Sequence, residues 1–539
     1  MKPTTDLAIL CAAAVTATAA PAPNSSSDSA STIQWSLNPS ASDATAVDKG
    51  YIGFGIEMTS FPDYAGVGST PNRLSTYLFS QISTRTGGAP LHIRVGGTSM
   101  DNTVWRPALT SLAVNTTSNA QCALHADVDI GKPWLDGFAN LAGADGLAPR
   151  WTVQIPLARK NVSNGVAFAE ACIDALGGTT DTLDGFEIGN EPNFYPTIGC
   201  GSRTDRNSSW GPQDYAREWT AYAADLTSRV GPLKQSGVKD WFQTLTLASG
   251  VKNKTLWGLS GLWDKLNDGG YVKTVSQHYY QTTASGTLKD DLLNHAGTVS
   301  EIQSKFGDNI AFAAKHNVPF ILGEVGSAIV VDSSAGVNQA LYDTLGASLW
   351  TLDFLLHGMT LGIERVSMQL GTNFRMSAWQ PISTTGHPKA VHGNYYGLVA
   401  GAEFVGGDGD LAVRALELDG HPNVVGYAGY HGGKLSKVAV LNLNVWNNGT
   451  GAARGEKEVA LTGLGDDVTS VRVSRLTAPG GAAANSSITW AGKRWTAENN
   501  GTEYTDGETP VTINVEGGAP KRSVVVKASE AVVVELLRG

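Results

Sequence analysis

Between Tyr51 and Leu370, eight short apolar runs alternate with stretches of helical period. The runs are Tyr51–Glu57, Leu91–Val95, Arg150–Ile155, Gly185–Gly189, Phe242–Ala248, Thr274–Tyr279, Val318–Leu322 and Ile363–Leu370. Between them, Tyr215, Trp219, Tyr222, Leu226 and Val230 recur at steps of four, three, four and four, one apolar face of a helix. Leu341, Leu345, Leu349, Leu352 and Leu356 repeat the pattern before the last run. Eight β–α units predict an α/β chain folded as a (β/α)8 TIM barrel with long loops. A doubly wound open sheet is the alternative, but no glycine fingerprint follows the first strand. After about Thr385 the texture changes. Val424–Tyr430, Lys437–Leu443, Val468–Val473, Val511–Val515 and Ala531–Leu536 are separated by Gly, Asn and Asp turns, which predicts an antiparallel β-sandwich. The chain therefore divides into residues 1–19, a signal segment; 20–44, a linker with a strand (Thr32–Leu37) joining the sandwich; 45–385, the barrel; and 386–539, the sandwich.

In a barrel, side chains at the C-terminal ends of strands line the functional face. The stretch Asp184-Gly-Phe-Glu-Ile-Gly-Asn-Glu-Pro-Asn-Phe-Tyr195 ends its apolar run at Gly189-Asn190-Glu191-Pro192, where proline removes the ladder amide and stops the strand. Taken alone, this is either a solvated turn or an acid presented at a sheet rim. Phe320-Ile321-Leu322-Gly323-Glu324-Val325-Gly326 supplies the second case, an apolar strand leading straight into a carboxylate. A buried unpaired charge is costly, so both acids need a reason to be there. One carboxylate on strand four and one on strand seven would face each other across the barrel mouth. Glycoside hydrolysis needs such a pair, a proton donor and a nucleophile, and a spacing of about 5–5.5 Å gives retention of configuration.

The motifs Gly189-Asn190-Glu191-Pro192 and Gly323-Glu324-Val325-Gly326-Ser327 stand in order with Arg94-Val95-Gly96-Gly97-Thr98-Ser99 and Gln277-His278-Tyr279-Tyr280. On a barrel followed by a sandwich, this set resembles glycoside hydrolase family 79, a family of β-glucuronidases and heparanases within the large retaining clan. The resemblance spans essentially the whole mature chain. It implies Glu191 as acid/base and Glu324 as nucleophile, with Asn190 holding the substrate 2-hydroxyl. It implies an exo-acting β-glucuronidase. In members selective for uronic acids, a tyrosine five residues beyond the nucleophile, followed by glycines, binds the sugar carboxylate. Here Ile329, Val330 and Val331 stand there. A neutral-sugar β-glycosidase is therefore the second reading, and a non-catalytic carbohydrate-binding barrel the third.

Other residues carry two readings each. Tyr280, just past strand six, is a donor to Glu324 or a core aromatic. Asp101, after strand two, is a solvated loop acid or a sugar contact. Trp379 and Gln380, after strand eight, form a platform for a sugar face or belong to the core. Glu187 sits one barrel layer below Glu191 and is expected to pair with a buried cation such as Arg94. The ten histidines lack metal-ligand spacing and no phosphate-binding glycine loop opens a helix, so no cofactor is expected.

Lys2, the apolar run Leu7–Val15 and Ala17-Thr18-Ala19 read as a secretory signal too short to span a bilayer. Sequons at Asn24, Asn115, Asn161, Asn207, Asn253, Asn448, Asn485 and Asn500 fit export through a glycosylating pathway. Removal of Cys11 with the signal leaves Cys122, Cys172 and Cys200; a Cys122–Cys200 disulfide and a buried Cys172 thiol are expected. The net charge of −10 argues against nucleic acid or an anionic membrane as partner. A secreted monomer acting on a glycan or glycoside is the expectation.

Overall fold

A computed structural model of the chain describes residues 32–116, 122, 125–200, 203–248, 256–329, 338–416, 420–514 and 521–539, with the side chains of Cys200, Arg203 and Lys521 excepted. The signal segment, the sequons at Asn24 and Asn253, and Val330 and Val331 lie outside the described residues.

Eight parallel strands close into a barrel in sequence order. They are β1 (Ile52–Glu57), β2 (Leu91–Gly96), β3 (Pro149–Ile155), β4 (Leu183–Ile188), β5 (Phe242–Leu247), β6 (Val272–Thr283), β7 (Phe320–Ile329) and β8 (Arg365–Leu370). Nearly every residue of β1, β5, β7 and β8 is buried, as expected for strands covered inside by packed side chains and outside by helices. One main helix follows each strand: α1 (Arg73–Arg85), α2 (Asp136–Leu141), α3 (Val162–Ala175), α4 (Pro212–Arg229), α5 (Leu259–Leu266), α6 (His295–Lys315), α7 (Leu345–Thr360) and α8 (Asn394–Val405). The face predicted from the period of α4 is the buried one, with Tyr215, Trp219, Tyr222 and Leu226 all in the core. In α7 the helix begins at Leu345, capped by the Thr344 hydroxyl, and Leu341 falls in a separate short turn.

The barrel layer runs past residue 385, because α8 completes it. Gly397 and Gly401 let α8 lie directly on α7: a Cβ at Gly397 would sit 2.2 Å from the Ser348 carbonyl. Tyr395 donates from α8 to the Leu78 carbonyl of α1 at 3.0 Å, closing the helix ring.

The main strands after the barrel form a sandwich: β9 (Leu411–Ala415), β10 (Val424–His431), β11 (Lys434–Asn442), β12 (Glu456–Thr462), β13 (Val468–Thr477), β14 (Lys521–Lys527) and β15 (Glu530–Arg538). The larger sheet runs β9-β10-β11-β15-β13, and β12 pairs with β14 in the second sheet. Both strands that precede the barrel belong here: Ile33–Ser36 pairs in parallel with β12, and Thr45–Val47 pairs antiparallel with β9. Val440, Val459, Val471, Val526 and Val534 form one buried cluster of the sandwich, together with Trp35 from the strand that precedes the barrel.

Candidate active site

The site is built on the C-terminal ends of β1, β2, β4, β6 and β7. At the end of β4 the chain turns through Gly189 (φ +84°) and Glu191 (φ +47°) before Pro192. A glycine is required first, since a Cβ at Gly189 would lie 2.8 Å from the Tyr195 hydroxyl. Left-handed geometry at a glutamate is strained and persists only where the surroundings impose it. Here the Asn190 amide donates to Asp101 Oδ2 at 2.9 Å, and the Glu191 amide donates to the Thr246 carbonyl at 2.9 Å. The Glu191 side chain emerges 18% exposed.

Glu324 does not end its strand. β6 and β7 both continue beyond the predicted limits, and Glu324 sits at a bulge inside β7, where Gly323 is the extra residue between the Gln277–Leu322 and His278–Glu324 pairs. A bulge re-aims a side chain next to a functional site. Glu324 is buried; its Oε1 accepts from Arg94 Nη1 at 2.5 Å and its Oε2 accepts from Tyr280 at 2.9 Å. Burial works to raise its pKa, but the His278 charge, the Arg94 guanidinium and the Tyr280 hydroxyl together bring it below the ordinary carboxylate value. Glu324 is held ionised.

Arg94 is itself buried on β2 and shared between three strands. Its Nε and Nη2 donate to Glu187 on β4, Nη1 to Glu324, and Nη2 also to Asn190 Oδ1 at 2.7 Å. Gln243 donates to the other oxygen of Glu187. The guanidinium is thereby flanked by two carboxylates. A fork of five fixed donors fits this better than a lysine would.

His278 on β6 connects the two acids. Its Nδ1 lies 3.0 Å from Glu191 Oε1 and 3.6 Å from Glu324 Oε2. Burial opposes a charge on the ring, but both carboxylates favour it, and its pKa ends above the ordinary value. Glu57, the last residue of β1, is a third buried acid. Ser99 donates to it from both its amide, at 2.9 Å, and its hydroxyl. Burial first, and the Glu324 charge second, push the Glu57 pKa up to about 7. Gly97 makes room for that carboxyl, since a Cβ there would meet it at 2.2 Å.

The structure thus brings Glu191, Glu324, Asn190 and Tyr280 together. It does not bring Asp101, Trp379 or Gln380 to the open site. Asp101 is buried rather than solvated, and its carboxylate is saturated by the Leu157 and Asn190 amides and the Tyr195 hydroxyl. Trp379 is wholly buried, donating to Ser75 at 3.0 Å and packed edge-on to Phe54 and Phe79. Gln380 is buried and bonded to Asn373. The loop doubles back as a short antiparallel pair, Trp379–Gln380 with Ala390–Val391, and both side chains are buried. Asn190 spends its Oδ1 on Arg94, which leaves its amide nitrogen, 3.4 Å from the Thr98 hydroxyl, as the group with room for another partner.

Arg94, His278 and Glu57 are absent from the residues singled out as site candidates in the sequence, though Arg94 and His278 lie within the family-like motifs. Glu57 carried a readable signal: like Glu324, it follows an apolar strand segment, Ile52-Gly-Phe-Gly-Ile56. Away from the site, Cys122 is disulfide-bonded and Cys172 is the buried free thiol; the Cys200 side chain lies outside the described residues. Asn115, Asn161, Asn207, Asn448, Asn485 and Asn500 are exposed.

Glu191, His278 and Glu324 place ligand atoms within 4.8 Å of one another. A cation could bridge such a triad, but it would compete with the Arg94 guanidinium already on Glu324. The arrangement favours proton transfer instead. One ionised, multiply hydrogen-bonded carboxylate faces a more exposed one at the spacing of a retaining glycosidase rather than the ~6.5–9.5 Å of an inverting one.

Comparison with known proteins agrees. Residues 426–533 match the glycosyl hydrolase family 79 C-terminal beta domain. The chain is 27% identical to a beta-glucuronidase of Neurospora crassa, over 94% of this chain and 97% of that protein. It is 28% identical to a beta-glucuronidase of Aspergillus niger, over 83% of this chain and 81% of that one. The crystal structure of a 4-O-alpha-L-rhamnosyl-beta-D-glucuronidase from Fusarium oxysporum 12S superimposes with a TM-score of 0.75 at 22% identity, covering 94% of this chain and 100% of that one. A family 51 arabinofuranosidase from Xanthomonas axonopodis pv. citri shares the fold more distantly, with a TM-score of 0.58 at 14% identity.

Proposed function

We propose, from the premise that this chain belongs to glycoside hydrolase family 79, that it is a retaining β-glycosidase removing terminal β-glucuronosyl residues. The observation that carries the reading is the Glu191–Glu324 pair, bridged by His278 and biased by Arg94 and Tyr280 toward an ionised Glu324. Its sugar specificity is supported by the two beta-glucuronidase relatives.

In the first step the Glu324 carboxylate attacks the anomeric carbon while Glu191 delivers its proton to the departing glycosidic oxygen. An ester bond to Glu324 forms as the bond to the aglycone breaks. His278 occupies Glu191 Oε1, so the catalytic proton belongs on the other oxygen. Esterification removes the Glu324 charge, and with it much of what holds a proton on His278. In the second step Glu191, now ionised, takes a proton from water; the hydroxide attacks the anomeric carbon and frees Glu324. Arg94 receives the returning negative charge without reorganising, which is where preorganised electrostatics contribute most.

Release of p-nitrophenol from the β-D-glucuronide, with a β-anomeric product seen first by NMR, is the expected result. Glu324→Gln should abolish turnover, and Glu191→Ala should lower it by ~10²–10⁴-fold on substrates with poor leaving groups. Activity on neither glucuronide nor glucoside, or a wild-type rate in Glu324→Gln, would overturn the reading. A neutral-sugar specificity is the second reading, favoured by Ile329, whose apolar side chain is 46% exposed just beyond the nucleophile. Strong preference for the β-glucoside in the same assay would select it. Secretion is part of the proposal, supported by the six exposed sequons.

A further inference from the structure

Asp101 is a buried acid that the chemistry above does not use. It stands at the end of a short helical turn, Thr98–Asp101, that follows β2. Its Oδ1 accepts from the Leu157 amide, just past β3, at 3.1 Å. Its Oδ2 accepts from the Asn190 amide, just past β4, at 2.9 Å and from the Tyr195 hydroxyl at 2.5 Å. One carboxylate thus ties together the ends of three consecutive barrel strands. The residue it grips is the one immediately before Glu191, inside a turn whose Gly189 and Glu191 both have positive φ.

Tyr195 is fixed in turn. Its ring stacks on Trp210 at 5.6 Å, and the Arg206 guanidinium lies 5.2 Å above it. The Tyr195 hydroxyl fills the space that a side chain at Gly189 would claim. Asp101 shares the lining of a cavity of about 20 Å³ with Asn190 and Glu191, and its two oxygens are already taken by three donors. Asp101, 2% exposed, is therefore behind the substrate site and not in it.

We infer that Asp101 is a positioning residue: by holding the Asn190 amide it sets the left-handed turn that aims Glu191 at the leaving-group oxygen. The inference rests on the assignment of Glu191 as the proton donor. A strained turn needs partners that over-determine it, and a displacement of the order of 1 Å at a catalytic group can cost ~10²-fold in rate. A misaimed donor leaves nucleophilic attack intact and weakens only protonation of the aglycone. The loss must then depend on how much the leaving group needs that proton.

The test compares kcat/KM, which reports the steps through glycosylation, across aryl β-glucuronides with dinitrophenyl, p-nitrophenyl and unsubstituted phenyl leaving groups. Asp101→Asn keeps the size of the side chain but faces an amide donor with an NH2 group. It is expected to lower kcat/KM on the phenyl substrate by at least about tenfold and on the dinitrophenyl substrate by less than about twofold. Tyr195→Phe removes one of the three donors and leaves the ring in place. It should lose severalfold on phenyl and nothing on dinitrophenyl, and it decides the matter if Asp101→Asn does not fold. Equal loss across the series, or none, in the folded variants overturns the clamp, because a general loss of structure would not discriminate leaving groups. Wild-type turnover of the series is the control. If the wild type hydrolyses neither glucuronides nor glucosides, the glycosidase reading fails; a flat loss with wild-type activity intact removes the clamp alone.

Discussion

Tyr280 makes one contact on which the division of labour between the acids depends. Its hydroxyl donates to Glu324 Oε2, the oxygen that Arg94 leaves free, so removing it strips the proposed nucleophile of one of its two direct donors among the described residues. The sign follows from which form the bond favours. A donor to the carboxylate lowers the Glu324 pKa, so Tyr280→Phe should raise it and move the acidic limb of kcat/KM to higher pH. A hydrogen bond to a charged group is worth about 1.5–3 kcal/mol, which sets the expected drop in kcat/KM at roughly 10–100-fold. A pH–rate profile checks both, and an unmoved acidic limb would show that Arg94 and His278 suffice. At this scale the sequence was legible where a carboxylate interrupts apolar strand texture, as at Glu191 and Glu324, since such a charge needs a reason. It left Trp379 and Gln380 between two readings, of which the structure bears out the core one, and it missed the burial of Asp101. A loop residue looks the same in sequence whether its loop faces water or folds back, and the rings that bury Trp379 belong to Phe54 and Phe79, some three hundred residues away in the chain.

For the acid at its start to be aimed, the described part of the loop after β4 must be held in place, and Arg206 anchors it. Its side chain is 1% exposed. Nη1 donates to the Ala158 carbonyl at 2.9 Å, Nη2 to the Leu157 carbonyl at 3.0 Å, and Nε and Nη2 together grip Glu218 of α4. The loop after β4 is thereby sewn to the end of β3 and to the helix that follows it. Lysine carries the charge but not the fork, so Arg206→Lys leaves buried carbonyls without donors. A stability loss of about 2–4 kcal/mol is expected, read as a lower denaturant midpoint at unchanged slope. A loss under about 0.5 kcal/mol would mean the loop is held by its aromatic stack instead. The elements themselves were readable because apolar runs and helical periods register burial directly. Their ends were less so. Bulging at Gly323 lets β6 and β7 continue beyond the predicted limits, and the eighth helix is hidden because Asn394–Val405 is apolar all round and shows no stripe.

Barrel and sandwich meet over a buried polar cluster that makes the stability of the whole molecule depend on pH. Asp353 of α7 accepts from Tyr427 of the sandwich strand β10 at 2.6 Å and lies 2.9 Å from His295 Nδ1, at the start of α6. His357 packs edge-on against His295, with ring centroids 5.8 Å apart, and its Nε2 has no hydrogen-bond partner among the described residues. The two imidazoles are driven in opposite directions. For His295, burial works against a charge but Asp353 outweighs it, and the pKa rises above the ordinary 6.5. Its contribution is complete below about pH 6.5 and is lost as pH climbs through the raised value. For His357, burial first and the His295 charge after it outweigh Asp353, and the pKa falls to about 4. Its contribution is complete above about pH 6.5 and is lost as pH falls through about 4, at most about 3 kcal/mol in all. Unfolding midpoints measured from pH 4 to 8 should therefore separate the two. His295→Gln, neutral throughout, is expected to weaken the protein more at pH 5.5 than at pH 8, by freeing Asp353 from its cation. His357→Phe should flatten the fall between pH 6.5 and 4 while changing little at pH 8. Variants whose curves run parallel to that of the wild type would move the acid sensitivity away from this interface. The opposed signs give the joint its greatest strength in mildly acidic solution, between the two transitions. There Glu324 is still held ionised and the buried Glu57, with its pKa near 7, carries its proton.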